Sequence, residues 1–248
     1  PITIVVPFAP GGTTDVFARS LGESLRAALG GQALVNVENV PGAGGSIGAN
    51  KVARATADGY TLLLHGIGLA TTTAMYRNPP FRPLDDFEFV GLVTESPLAL
   101  VGRPSLPANS AAEVLRWLRA NSGKATMASA GQGSIGHLCN LLLTQATGAA
   151  LTHVPYRGAA PAITDLMAGQ TDVMCAELST IDGQVSAGRV RGFALTSGQR
   201  PAGSASRSLP TLGESGAAVD ITTWNGLYAP RGTPAAVLSR LNGALRTA

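Results

Sequence analysis

Short apolar runs alternate along this chain with segments whose apolar residues recur every three or four positions. The first run comprises Ile2, Ile4, Val5, Val6 and Phe8 and has the length of a strand. It stops at Ala9, Pro10, Gly11 and Gly12, after which Phe17, Leu21, Leu25 and Leu29 recur at helical spacing. Thr13, Thr14 and Asp15 stand at the junction and supply side chains of the helix-capping type. The pattern predicts a strand, a glycine loop and a helix start. Residues 124–137 (KATMASAGQGSIGH) repeat the design: a short strand, the loop Ser129, Ala130, Gly131, Gln132, Gly133 and Ser134, then an apolar helix through Leu138, Leu141 and Leu142.

The alternation continues elsewhere. Residues 33–40 (ALVNVENV) predict a strand, followed by the loop PGAGGSIG (41–48) and a helix through Val52 and Ala55. After an Asp58-Gly59 turn, YTLLLH (60–65) predicts a third strand, with a loop at 66–68 and a helix around 69–76. Pro79, Pro80 and Pro83 mark an irregular connection before two further strands, FEFVGLV (87–93) and LALVGR (98–103). Ser110 and Glu113 match a capping box opening a helix with Val114, Leu115, Trp117 and Leu118 inward. Beyond the second glycine loop come strands at 151–156, 171–175 and 190–196, separated by helices at 161–167 and 181–187. A polar loop at 199–210, a returning strand at 222–228 and a last helix, capped by Thr233 and opened by Pro234, follow. Strands alternating with helices in this way predict βαβ units and mostly parallel sheets. No segment recurs at a period of about 20–50 residues, so a solenoid is excluded. We expect two α/β lobes, residues 1–97 with 226–248 and residues 98–225. More than one crossing joins them and makes a hinge, with ligand held at the C-terminal ends of the strands.

Adjacent glycines let backbone N–H groups turn toward a guest, because no Cβ obstructs the approach. A helix start adds unpaired N–H groups and a partial positive charge. The loops at 8–15 and 129–134 therefore read as anion seats without a catalytic group. One such loop suits an ordinary β–α turn equally well; two of them point to two lobes presenting helix ends to one ligand.

Composition narrows the class. A chain that is 45% hydrophobic and 13% charged can bury a large core, which disfavours disorder. Net charge is only +3, with Lys and Arg scattered and aromatics at 5%, so neither a phosphate-binding stripe nor a base-stacking platform is present. No apolar run reaches the ~18–20 residues of a membrane span. Pro1 opens directly onto the first strand without a signal segment, so the chain is expected to be a processed or trimmed product. Cys139 and Cys175 both lie in apolar context. Buried free thiols are the default expectation, with a disulfide the minority alternative.

Other motifs carry less. Gly44-Gly45-Ser46-Ile47-Gly48 matches the G-x-S-x-G nucleophile elbow, but Pro41 and three glycines separate Ser46 from the preceding strand, and Ser46 is better read as a helix cap. The same glycines miss the dinucleotide fingerprint by one place and lack an acidic ribose ligand downstream, so Gly44 is expected to belong to a third backbone-rich loop lining the cleft. His65, His137 and His153 fall on three separate elements with no i, i+4 pairing, which leaves a metal cluster without support. His65 could face the cleft, His137 braces the second loop, and His153 is expected in the core. Asp15 is read chiefly as a capping or bracing residue, with contact to a ligand ammonium as the sharper alternative. Arg157, Glu177 and Asp182 could reach the cleft from the distal side, and Trp224 is expected to pack near the crossing.

The blocks VPFAPGGTTDVFAR, NVPGAGGSIGANKVA, DGYTLLL, MASAGQGSIGHL, HVPYRGAAPAITDLMAGQTDVM, AGRVRGFALTS, SLPTLGESG and APRGTPAAVLSRLNGAL resemble, in this order, the Bug receptors. These are the periplasmic solute-binding proteins of tripartite tricarboxylate transporters. The resemblance implies a type II periplasmic binding fold that closes on a small carboxylate: a dicarboxylate, an aromatic carboxylate or an amino acid. It implies that Phe8, Ala9, Gly11, Gly12, Thr13, Thr14 and Asp15, with Ser129, Gly131, Gln132, Gly133 and Ser134, hold one ligand carboxylate through backbone N–H groups, hydroxyls and ordered water. The ligand's other end would meet more variable positions, including His65, Gly66, Gly68, Arg157, Glu177 and Asp182. It further implies structure on the first lobe beyond the helix at 234–247, a periplasmic monomer, membrane transporter subunits as partners, and neither cofactor nor metal. Ala176 stands where some relatives carry an acid, so amino-acid specificity does not transfer with the fold. The alternatives are a ligand-binding sensor for a signalling partner, a hydrolase using Ser46, and a nicotinamide-dependent oxidoreductase.

Overall fold

A computed structural model describes residues 1–198 and 200–248; Gln199, the first residue of the polar loop expected at 199–210, lies outside the described residues. In chain order the elements are β1 (Ile2–Val6), α1 (Thr13–Ala28), β2 (Val35–Asn39), α2 (Ser46–Ala53), β3 (Thr61–Gly66), α3 (Gly68–Met75), α4 (Pro83–Asp86) and β4 (Phe87–Gly102). There follow α5 (Ala111–Ala120), β5 (Thr126–Ser129), α6 (Ile135–Thr147), β6 (Thr152–Pro155), α7 (Ala159–Met167), β7 (Val173–Glu177), α8 (Leu178–Ser186), β8 (Arg191–Leu195), β9 (Thr222–Pro230) and α9 (Ala235–Thr247). The chain forms two compact units, Pro1–Glu95 with Trp224–Ala248, and Ser96–Thr223.

In the first unit β1 runs parallel to β2 and β3, with Ile4 opposite both Val37 and Leu62, while β9 is antiparallel to β3. Ile2, Ile4 and Val6 pack with Ala18, Leu21 and Leu25 of α1 and Leu241 of α9. Val5 and Leu63 pack on the other face with Val52, Leu69, Phe87 and Tyr228, and Trp224 lies against this second cluster. Both faces of β1 are thus covered, which is why its sequence is a continuous apolar run and not an alternating one. Each fully buried aliphatic side chain here stabilises by about 1.5–3 kcal/mol.

In the second unit β5 is parallel to β6 and β7, and β4 is antiparallel to β7 and β8. Leu98 and Leu100 pack with Val114, Leu118 and Leu143, and Ala99 and Val101 pack with Ile163, Leu166 and Ile181 on the opposite face. Asp172 accepts from the Thr126 N–H and hydroxyl at 2.9 Å each and pairs with Arg103 at 2.9 Å, joining β4, β5 and β7 at one end. Burial pushes this carboxyl up, but those bonds and the guanidinium outweigh it and hold it below the usual range.

Several local expectations need correction. The two strands expected at 87–93 and 98–103 are one strand of 16 residues, in which Pro97 is accommodated without ending the run. Cys139 and Cys175 are joined as a disulfide, with their Cα atoms 6.3 Å apart. The pairing arises because α6 lies against β7, so that two buried apolar positions distant in sequence face each other. Thr233 does not cap α9: Pro234 is its N-cap, and the Thr233 hydroxyl donates to the Pro230 carbonyl at 2.7 Å. The capping box of α5 forms, with the Ser110 hydroxyl accepting from the Glu113 N–H at 3.3 Å and the Glu113 carboxylate accepting from the Asn109 N–H at 2.7 Å.

Candidate functional site

Because β1, β2 and β3 are parallel, their C-terminal ends, and the loops leading into α1, α2 and α3, share one edge of the first unit's sheet. His65, the penultimate residue of β3, sits at the centre of these loops and is fully buried. A Cβ on Gly45 would lie 2.7 Å from its Nε2, a Cβ on Gly68 would lie 2.8 Å from its Cε1, and the Phe8 ring meets it edge-on at 5.4 Å. Its Nδ1 accepts from the Gly66 N–H at 2.9 Å, and burial lowers its pKa to about 3, so the ring is neutral with its proton on Nε2. That Nε2–H has no acceptor among the described residues. His65 therefore supports the loops from beneath; the expected direct presentation to a ligand is corrected by its burial.

Asp15 holds the first glycine loop. Its carboxylate accepts from the Gly11 N–H at 2.9 Å, from Arg19 at 3.0 and 3.1 Å and from Asn39 at 2.9 Å. Burial raises this carboxyl, but these four donors outweigh it and leave the pKa lowered. The Asn39 amide also donates to the Phe8 carbonyl at 3.1 Å, tying β2 to the loop after β1. Thr13 and Thr14 do not cap α1, whose N-cap is Gly12 with no side-chain bond. Ser46 does not cap α2 either: Gly45 is the N-cap, and the Ser46 hydroxyl lies 3.4 Å from that of Thr72. The Tyr76 hydroxyl donates to the Ala43 carbonyl at 2.9 Å, so the Gly44 loop is fastened to the end of α3.

The second unit repeats the arrangement at the ends of β5, β6 and β7. The Ser129 hydroxyl accepts from the Gly131 N–H at 3.1 Å, and Ser134 caps α6 while its hydroxyl donates to the Gly131 carbonyl at 2.7 Å. His137 Nδ1 accepts from the Gly133 N–H at 3.1 Å, the bracing role expected of it. His153 is not in the core. It is half-buried, stacks on His137 with ring centroids 4.2 Å apart, and places Nε2 2.6 Å from the Ser129 hydroxyl. Burial, then the neighbouring His137, lowers its pKa to about 4. Sequence spacing could not reveal this histidine pair, because one ring comes from a helix and the other from the strand that follows it, 16 residues along the chain.

Gln132 is exposed at the tip of the loop, and Arg157 is exposed between β6 and α7. Asp182 is engaged structurally: its carboxylate accepts from Ser204, Ala205 and Ser206 at 2.6 to 3.0 Å, which fixes the turn at 205–208 and corrects the expected ligand role. Glu177, the last residue of β7, has a buried Oε2 with no partner among the described residues.

One feature is shared by both units. Of the six helices that leave these strand ends, α1, α2, α3, α7 and α8 have no side-chain cap bond, and only α6 has one. Uncapped helix starts offer N–H groups and positive potential to an anion. A cavity of about 660 Å³ lies at the other end of β1, beside Pro1, Leu34, Tyr60 and Val237, remote from the first unit's glycine loops. Among the described residues no cluster of His, Cys, Asp or Glu could hold a metal, and no helix is long and apolar enough to cross a membrane.

Residues 17–248 match the family profile described as the tripartite tricarboxylate transporter family receptor. The chain belongs to this receptor family. It is 41% identical, over 100% of its own length and 71% of the relative's, to a UPF0065 protein in the TAR-I ttuE-ttuC' intergenic region of Agrobacterium vitis. Among solved structures it is similar to the periplasmic binding protein BugD, at TM-score 0.94 and 41% identity, covering 100% of this chain and 82% of that one. It is also similar to MatC of Rhodopseudomonas palustris with bound malate, at TM-score 0.92 and 33% identity, covering 99% and 83%. Rpa4515 of the same organism, with adipate, matches at TM-score 0.90 and 33% identity, covering 98% and 81%. The receptor family thus has the α/β fold of periplasmic binding proteins, and its members are solute-binding proteins, not enzymes. The hydrolase and oxidoreductase alternatives fall with that finding, and the burial of Ser46 agrees.

Proposed function

We propose that this receptor captures a small carboxylate in the periplasm, as a monomer, and delivers it to the membrane subunits of a tripartite tricarboxylate transporter. The candidate contacts to the carboxylate are the loop 8–15 and the Gly44 and Gly66–Gly68 backbones on the first unit, and the loop 129–134, Arg157 and Glu177 on the second. The observation that supports this reading is the set of five helix starts without a side-chain cap, after β1, β2, β3, β6 and β7, whose first-turn N–H groups no capping side chain takes. The malate and adipate bound by related receptors are small carboxylates, in keeping with such a seat. The disulfide agrees with an oxidising compartment. Hydrogen bonds to a charged group net about 1.5–3 kcal/mol each, so four or five of them, less the cost of association, allow roughly micromolar affinity.

Calorimetry over succinate, malate, adipate, benzoate, aspartate and glutamate tests the proposal. At least one should bind. Gly12→Pro, at a φ of −81° that proline tolerates, and Gly131→Ala, at a φ of 130°, should each weaken that same ligand about tenfold or more. Unchanged affinity in either variant would remove its loop from the anion seat.

A further inference from the structure

The second glycine loop rests on two imidazoles laid one on the other. His137, in the first turn of α6, and His153 of β6 stack with ring centroids 4.2 Å apart and planes 16° from parallel. His137 Nδ1 accepts from the Gly133 N–H at 3.1 Å, which requires that nitrogen to carry no proton. Gly133 reaches the bond through a left-handed turn, at φ 79°. A proton added at Nδ1 would set two donors against each other and expel the Gly133 N–H. His153 is placed differently. Its Nε2 lies 2.6 Å from the Ser129 hydroxyl, which accepts from the Gly131 N–H at 3.1 Å. A proton there meets no such conflict, because the hydroxyl can turn its own hydrogen to the Gly131 carbonyl, 3.1 Å away. The bond that needs a neutral ring is therefore the one from Gly133 to His137.

Few other charges surround the pair. The elements packed against α6 and β6 are α5, β5 and β7. β5 has no titrating side chain, and α6 and β6 have none besides these two histidines. On α5, Glu113 is held in its capping box, Arg119 donates to the Thr147 carbonyl at the far end of α6, and Arg116 is exposed. Lys124 and Arg157, which flank β5 and β6, are exposed. The remaining group is Glu177 at the end of β7, whose carboxyl burial raises to about 7. Burial lowers the pKa of both histidines, and His137 lowers that of His153 further.

We propose that neutral His137 is the positioning residue of the second loop and that protonating it opens the loop, so that this receptor holds its ligand at neutral pH and releases it in acid. The inference rests on the solute-binding reading above. The bound form needs an unprotonated Nδ1, so affinity is complete above the histidine's pKa in the unliganded chain and is lost as pH falls through it. With that pKa lowered from 6.5, the loss lies below pH 6.5.

Calorimetry on the intact chain with the six acids named above, from pH 7.5 down to 5, tests this beside His137→Asn. Asparagine Oδ1 can stand where Nδ1 stands and accept from the Gly133 N–H without titrating. At pH 7.5 the variant should bind within about threefold of the unaltered chain, and between pH 7.5 and 5 it should be spared a further loss of roughly tenfold that the unaltered chain suffers. Glu177→Gln, which removes the other group titrating in this range, should keep that loss. A fall shared by His137→Asn, a fall abolished by Glu177→Gln, or an affinity that rises with acid would overturn the role of His137 and leave the carboxylate seat standing. NMR of the 15N-labelled chain needs no ligand: the Gly133 amide should titrate together with the His137 ring and stay still in His137→Asn. An amide that ignores the ring would overturn the switch. An amide that follows it, in a chain that binds none of the six acids, would uphold the loop switch and overturn the carboxylate reading.

Discussion

Removing the Cys139–Cys175 link should destabilise the Ser96–Thr223 unit and spare the other. The bond spans a sequence separation of 36 residues. In the chain-entropy account, closing a loop of that size removes about 4 kcal/mol of denatured-state freedom at 25 °C. Both cysteines are buried, so alanine is the better replacement, since serine would bury hydroxyls without partners. For a unit of this size, 4 kcal/mol corresponds to a drop in melting temperature of roughly 10–20 °C. The chain supplies its own reporters. Trp117 packs against the core cluster that contains both cysteines, and Trp224 packs against a cluster of the first unit. Thermal melts of Cys139→Ala/Cys175→Ala in single-tryptophan backgrounds should show the Trp117 transition moving down and the Trp224 transition nearly still. A loss below about 1 kcal/mol would refute the entropic reasoning, and equal shifts in both transitions would refute the assignment of the bond to one unit.

Gly48→Ala should be costly, because the added Cβ would lie 2.8 to 2.9 Å from Pro7 and the Val40 carbonyl, two of the three contacts being with backbone atoms; we expect a loss of about 2–3 kcal/mol by urea denaturation, and a neutral effect would mean that α2 can retreat from β1. Asp182→Ala strips the acceptor from the 205–208 turn and should cost about 1–3 kcal/mol while speeding proteolysis there. Lost ligand affinity at unchanged stability would instead make Asp182 a ligand contact. His153 takes its proton near pH 4 in the folded protein and near the ordinary 6.5 when unfolded, so the unfolded chain binds the proton first and stability should decline as pH falls from 6.5 to 4. Half-buried as the ring is, its share should be about 1–2 kcal/mol, and urea midpoints at pH 7 and 4.5 should converge less steeply in His153→Gln; an identical pH slope in that variant would remove His153 from the linkage.

The alternation of strands and helices was legible because both faces of β1, β3, β5 and β7 are covered, and covered strands announce themselves as apolar runs. The two glycine loops were legible for a local reason, since Gly11 at φ 78° and Gly131 at φ 130° take conformations that side chains disfavour. What escaped depended on how separate elements lie against one another. The disulfide needs α6 laid on β7, and the stacked His137 and His153 need α6 beside β6. Capping was misread at Thr13, Ser46 and Thr233 for one reason: in each case a neighbouring residue takes the N-cap place, and the hydroxyl-bearing residue lies one position to the side. A capping residue type is common enough that its register within a turn decides its role, and register is not visible in composition.

That misreading bears on function. Had Thr13 or Ser46 capped their helices, their hydroxyl oxygens would have taken first-turn N–H groups that an anion could use. With glycine at both N-caps the side chains act one step away, Asp15 on the Gly11 N–H and Ser46 on Thr72. The second unit differs at α6, where Ser134 does take the His137 N–H, while Ser129, His137 and His153 are directed at the loop itself. Side chains set the shape of these loops by accepting from the N–H groups of Gly11, Gly66, Gly131 and Gly133, and the proposed seat would use the N–H groups that remain. In the carboxylate seat proposed above, affinity would depend little on side-chain identity, and discrimination among carboxylates would fall to the few polar side chains that bracing does not occupy. On the second unit these are Arg157, which is exposed, and Glu177, whose Oε2 is buried without a partner among the described residues. Exchanging those two residues between receptors of different ligand preference should therefore move specificity further than any exchange within the glycine loops.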